Sequence, residues 1–380
     1  MNTTSKAILP HLKNHFKVQK LFHSLYYTWD DRNQAVVASR YLDRTLHRFH
    51  ITLSWIYLLL QCLKVFNSST NVTGNVIPAI IIGLYFTGVV LGTKFGTDRA
   101  DLQLFHVMFS STSKEKCEGE LINKEDELRS KIINVMFIIF QKSSYTFFPL
   151  GVFVLVIFRP CQVPLLGSLL IPEQECSTSF LHIGQCNLLK VTLVVLEVTH
   201  CVFIMLIGMT YGAYLCVTGV LVLLEEADRS FKPGGVMQDY RHFQVLETLL
   251  NCVIRSRTFP LLAGVFPGFQ IMIGFVYIRF HEVLSSFELI LLGLLLIDVF
   301  LVNIIMFTGS GKIYGKSFRS GQRRSDGGER WRDTLQAVRP GGRTARGFNN
   351  FWGRMRPYHG QTLQAGQNVA TGLDQGQILK

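Results

Sequence analysis

Apolar residues in this chain arrive in unbroken runs, and charge is kept to the stretches between them. The clearest runs cover residues 51–66, 76–92, 201–224, 259–278 and 289–308. Each is close to the ~20 residues that a helix needs to cross the hydrocarbon of a bilayer. A sixth run, 145–158, is shorter but extends back as a helix to Ile132, with Gln141, Lys142, Ser143 and Ser144 interrupting it. Such an interruption is tolerated where the polar face looks into a bundle or water rather than lipid. The pattern predicts an all-α, polytopic transmembrane helical bundle of six spans, at about 49–66, 76–93, 140–158, 200–224, 259–278 and 288–309. It leaves an N-terminal segment, 1–48, and a basic tail, 310–380, outside the bundle.

Composition supports the membrane assignment: 48% of the residues are hydrophobic and 17% charged, with a mean hydropathy of +0.27. An ordinary soluble domain is less apolar than this. The first 48 residues carry Lys6, Lys13, Lys17, Lys20, Arg32, Arg40, Arg44 and Arg48 without the apolar core of a cleavable signal. The first span is therefore expected to direct insertion.

Charge then fixes an expected orientation. With the N-terminus in the cytoplasm, every Lys and Arg except Lys64, Lys142, Arg159, Lys190 and Arg279 falls on the cytoplasmic side, as the positive-inside rule requires. The net charge of +12 is thus a matter of topology. Nucleic acid is not an expected partner, since that needs a basic face on a folded module. The sequons at Asn67 and Asn71 fall in the first outer loop and are candidate glycosylation sites. Cys161, Cys176 and Cys186 share the one sizeable outer loop. An oxidising compartment there permits a disulfide between two of them, as a loop staple.

The chain shows no catalytic grammar: no H-E-x-x-H, G-x-S-x-G or Walker loop, and histidines scattered rather than paired at ligand spacing. No enzyme activity, cofactor or metal site is expected. Glu118, Glu120, Glu125, Asp126 and Glu127 alternate with Lys114, Lys116, Lys124, Arg129 and Lys131, which reads as a solvated helix with local ion pairs. More informative are ionisable groups near spans, because charge in hydrocarbon is costly and usually faces a cavity. Glu197 and His200, at i and i+3, share a helical face at the start of the fourth span. They are either an interfacial pair solvated by headgroups or the polar anchor of a ligand pocket. Tyr145, Phe147 and Phe148 in the third span, with Tyr211 and Tyr214 in the fourth, are candidate aromatic walls. Pro260, Gly264, Pro267 and Gly268 predict a shaped or kinked fifth span.

Three stretches together resemble the arthropod gustatory and odorant receptor superfamily: Y-R-H-F-Q-V-L-E-T-L-L-N-C-V-I-R-S-R-T-F-P at 240–260, G-K-I-Y-G-K-S at 311–317 followed by Trp331, and L-F-H-S-L-Y-Y-T-W-D at 21–30. Their order and spacing across roughly residues 10–331 carry the likeness. The resemblance implies a seven-span chemoreceptor subunit of the plasma membrane that binds a small-molecule tastant or odorant in its outer half. It also implies a homo- or hetero-tetramer with related subunits, forming a ligand-gated cation channel whose seventh helix lines the pore. G-protein-coupled receptors, with the N-terminus outside, are not resembled. The family pattern expects a seventh span with a T-Y-x-x-x-x-x-Q-F signature. Residues 339–361 instead read R-P-G-G-R-T-A-R-G-F-N-N-F-W-G-R-M-R-P-Y-H-G-Q, a composition that predicts disorder. Either the pore helix is missing or the tail is an altered end of a gene that once encoded it, and the second is favoured. The competing function is a non-conducting multi-pass protein, a transporter or an inactive regulatory relative. Transport is disfavoured because the two halves show no matching broken helices.

Overall fold

The computed structural model describes residues 3–67, 72–93, 99–109, 124–158, 161, 165–171, 188–231, 237–255 and 258–326. The chain divides into Met1–Ser320 and Gly321–Lys380. The architecture below is that of the first unit.

Helix α1 (Thr3–Phe22) is amphipathic, with Ile8, Leu12 and Phe16 buried at a spacing of four and His15 and Gln19 buried beside them. Its N-terminus would expose unpaired amide groups. The Glu225 carboxylate covers them, accepting from the Thr3 and Thr4 N–H groups at 2.9 and 3.0 Å. The helix stops where His23 turns to a φ of 48°, a left-handed stop of the kind glycine usually supplies. A short antiparallel hairpin follows, β1 (Tyr27–Asp30) against β2 (Ala35–Ala38), in register Tyr27↔Ala38 to Asp30↔Ala35. This is a departure from the purely helical expectation. Asp30 shapes the turn by accepting from Arg32 N–H at 2.9 Å and Asn33 Nδ2 at 2.6 Å, and these bonds hold its carboxyl below the usual range. The hairpin is tied down by the Tyr27 hydroxyl, which donates to buried Asp101 at 2.8 Å, on helix α4 (Arg99–Phe109).

The expected all-α polytopic bundle is present. Five helical stretches among the described residues are long and apolar enough to cross a membrane: Tyr41–Asn67, Lys124–Phe158, Val191–Ser230, Thr258–Phe280 and Ser286–Lys316. The expected second span corresponds to the shorter apolar stretch Ile77–Gly92. We label the helices α2 (Tyr41–Asn67), α3 (Val72–Gly92), α5 (Lys124–Lys142), α6 (Phe148–Phe158), α7 (Gly167–Leu170), α8 (Leu188–Gly208), α9 (Thr218–Ser230), α10 (Met237–Ile254), α11 (Thr258–Phe280) and α12 (Ser286–Asp326). Their outward faces are apolar and exposed: Ile56, Leu59 and Leu63 on α2, Ile271 and Ile278 on α11, Ile290 and Ile297 on α12. A soluble protein would bury such a surface, and lipid covers it without cost.

The first span starts at Tyr41 rather than at about 49, and three further boundaries differ from the sequence expectation. The fourth span begins well before residue 200, so Glu197 lies inside a helix rather than at its edge. The third begins at Lys124 and runs to Phe158, its exposed first turns carrying the expected ion pair, Lys131 to Glu127 at 2.7 Å. The last does not stop at 309. Helix α12 continues without a break to Asp326, with Gly309 against Val220, Ile313 buried and Lys316 paired with Asp228. Residues 310–316, expected in the tail outside the bundle, are thus helical; residues 327–380 lie outside the described residues. Pro267 sits within α11, which runs unbroken through it.

Two stretches among the described residues are π-helical: Ser143–Phe147 joins α5 to α6, and Met209–Val217 joins α8 to α9. The polar interruption of the third span is the first of these. Its neighbour Gln141 faces the bundle, donating to the His11 carbonyl at 2.9 Å and to the Tyr214 hydroxyl at 2.8 Å. π-Helical turns widen a helix and cluster at functional sites. Close packing is made by glycine where α3 runs alongside α8: Gly88 faces Ile204, and Gly92 one turn on faces Ile207 and Ile51. Small residues at this spacing let helix backbones approach in lipid.

Candidate functional site

Glu197 is fully buried on α8. Its carboxylate accepts from the Tyr57 hydroxyl at 3.2 and 3.4 Å, and from the Leu166 N–H. The carboxyl therefore fastens residues 165–171, which include α7, onto α2 and α8. His200, one turn on, places its ring 4.7 Å from Tyr57, tilted to it, and 5.0 Å from Tyr85, edge to face. Its Nδ1 lies 3.5 Å from the Ser54 hydroxyl, which itself donates to the His50 carbonyl at 2.8 Å. Its Nε2 is buried and unpartnered. The two residues do share one helical face, and that face is turned to α2 and α3 rather than to headgroups.

Tyr145 belongs elsewhere. Its hydroxyl bonds His15 Nδ1, and the His15 Nε2 lies 2.8 Å from Thr210 Oγ1. Because Thr210 donates its own hydrogen to the Leu206 carbonyl at 2.9 Å, Nε2 carries the imidazole proton and Nδ1 accepts from tyrosine. His15 thus joins one π-helical stretch to the other, with the Tyr214 ring 4.7 Å away and tilted to it. Burial drives its pKa down from 6.5 to about 3, so it is neutral. Tyr211 is buried in the second π-helical stretch, and Phe147 is exposed.

Between the two π-helical stretches lies a cavity of about 120 Å³, walled by α3, the α5–α6 junction, α8, α11 and α12. Phe140, Phe148 and Phe266 contribute rings, and Ser144 a hydroxyl. Gly208 and Gly212 leave space there, since a Cβ at either would meet nothing within 4 Å. Asp298 supplies the one carboxyl among the lining residues. The Ser143 hydroxyl donates to its Oδ2, while Oδ1 is buried and unpartnered. Of the seven residues proposed from sequence as ligand contacts, Phe148 lines this cavity; Glu197, His200, Tyr145, Phe147, Tyr211 and Tyr214 are not among its lining residues. Sequence reasoning passed over Asp298. The signal was there: a single carboxylate in the middle of the most apolar run is a candidate site residue by its cost alone.

Among the described residues, no group of three His, Cys, Asp or Glu side chains is placed to hold a metal. Cys62, Cys201, Cys216 and Cys252 are free thiols. The sulfur of Cys161 is engaged, while Cys176 and Cys186 lie outside the described residues. Asn67 is exposed at the end of α2, and Asn71 lies outside the described residues. No protein-family profile, no characterised protein and no solved structure matches the chain.

Proposed function

We propose that this multi-pass membrane protein is a chemosensory receptor subunit that holds a small molecule inside its helical bundle. The observation that carries the reading is the 120 Å³ cavity set between two π-helical stretches, apolar but for few polar groups. Ligand sites combine an apolar wall with a few placed polar groups in this way, and π-helical turns are frequent at functional sites. The likeness of residues 21–30, 240–260 and 311–317 to gustatory and odorant receptors supports the same reading. In it the protein sits in the plasma membrane with its N-terminus in the cytoplasm. It assembles with related subunits as a tetrameric cation channel gated by a tastant or odorant. Cys161 pairs with Cys176 or Cys186 in the outer loop, and Asn67 and Asn71 are the glycosylation sites.

A second reading, a non-conducting relative that modulates other subunits, is favoured by the Gly- and Arg-rich composition of residues 339–361, where the family's pore helix is expected. Expression alone and beside a related subunit, with ligand screening by calcium signal, tests both. Evoked signal from the chain alone supports the channel, and signal altered only in the co-expressed pair supports the modulator. No effect in either setting overturns the receptor reading. Orientation is tested by cysteine labelling from outside intact cells: Glu282→Cys reacts and Asp31→Cys does not, and the opposite pattern reverses the topology.

A further inference from the structure

We propose that the cavity between the π-helical stretches is built for a compact organic ammonium, a primary or secondary amine on an apolar body of about benzene size. This rests on reading the cavity as a ligand site and names the chemical class it takes.

Size sets the body. A cavity of about 120 Å³ is close to the ~150 Å³ of an apolar cavity known to accommodate benzene. Charge sets the head group. Asp298 is the carboxylate among the lining residues, which include no Lys or Arg. One of its oxygens is held by Ser143, and the other is buried without a partner. An isolated carboxylate at that depth is costly, and a cation that reaches Oδ1 satisfies it with a charge-assisted hydrogen bond. The walls agree, because Phe140, Phe148 and Phe266 present rings to the same space, and aromatic faces attract a desolvated ammonium. A neutral ligand would fill the volume and leave Oδ1 as it is. Glu197 offers no comparable opening, since Tyr57 and Leu166 already occupy its oxygens.

The test uses the full chain in nanodiscs of phosphatidylcholine, with benzylamine and toluene as probes, read by thermal shift and titration calorimetry. Benzylamine is expected to bind at least tenfold more tightly than toluene, and Asp298→Asn to bring the two probes to comparable affinity. Gly212→Leu fills the cavity from a position where a Cβ meets nothing within 4 Å, keeps the carboxyl, and is expected to abolish binding of both probes. Toluene binding as tightly as benzylamine overturns the ammonium proposal and leaves the ligand-site reading standing. Failure of both probes counts against the ligand-site reading itself. Benzylamine binding that survives Gly212→Leu places the amine elsewhere and overturns the proposal, whether or not Asp298→Asn folds.

Discussion

Gly88→Ala tests the packing of α3 on α8 most directly. A Cβ at residue 88 would lie 2.4 Å from Ile204 Cγ2 and 3.2 Å from the Ile204 carbonyl oxygen. Ordinary carbon contacts are ~3.5–4.0 Å, so roughly 1 Å must be found. Ile204 cannot supply it by rotating, because a β-branched side chain in a helix has one strongly preferred χ1 rotamer. The helices must separate instead. Overpacking of this kind costs about 1–3 kcal/mol, and alanine recovers about 1 kcal/mol over glycine in helix propensity. A net loss of about 1 kcal/mol follows. Gly92→Ala is the internal control: its Cβ would meet Ile51 Cδ1 at 2.5 Å and Ile207 Cδ1 at 2.9 Å, the far ends of side chains that can turn aside, so it is expected to be near neutral. The pair Gly88→Ala with Ile204→Leu should recover most of the loss, since leucine leaves the Cγ2 position empty. The assay is thermal unfolding in nanodiscs, read by a thiol-reactive dye reaching the buried Cys201 and Cys216. Equal losses at residues 88 and 92, or no rescue by leucine, would refute the reasoning.

The other predictions concern α1 and its anchors. Glu225→Ala removes the acceptor for two N-terminal amides of α1; losing such a cap costs about 1 kcal/mol, so exchange of the amides of residues 5–9 should quicken severalfold, and unchanged exchange rejects the cap. His15 is neutral in the fold with a pKa of about 3 against an ordinary 6.5, so between those values the unfolded chain binds a proton that the native one does not. Native stability should therefore fall as pH falls through this window, by about 1.4 kcal/mol per unit from this group. His15→Gln should flatten the dependence of Tm on pH between 7.5 and 5, and parallel profiles would refute it. Tyr27→Phe leaves buried Asp101 without its phenol donor, a loss of about 1–3 kcal/mol. Protease sensitivity of the hairpin should rise accordingly, and a wild-type digestion pattern would count against the tie.

The apolar runs at 51–66, 76–92, 145–158, 201–224, 259–278 and 289–308 each became a helix. Insertion in lipid depends on local composition and on a backbone that satisfies itself, and both can be read from a single stretch of chain. That Glu197 and His200 share a face, and that Gln141, Ser143 and Ser144 turn inward, followed from the same reasoning. Which faces meet did not. A run apolar on every side carries no periodicity to mark its buried stripe, so nothing in the sequence put Gly88 against Ile204 or Phe148 and Asp298 around one cavity. The expected end at 309 is where the apolar run stops, whereas packing on Val220 and pairing with Asp228 carry α12 onward. The hairpin at 27–38 depends on a partner, Asp101, more than sixty residues away. The choice between Glu197 and Asp298 was also tertiary, because both are single carboxylates in apolar runs. Only the fold places hydroxyl and amide donors on the oxygens of one and leaves an oxygen of the other unpaired beside a cavity.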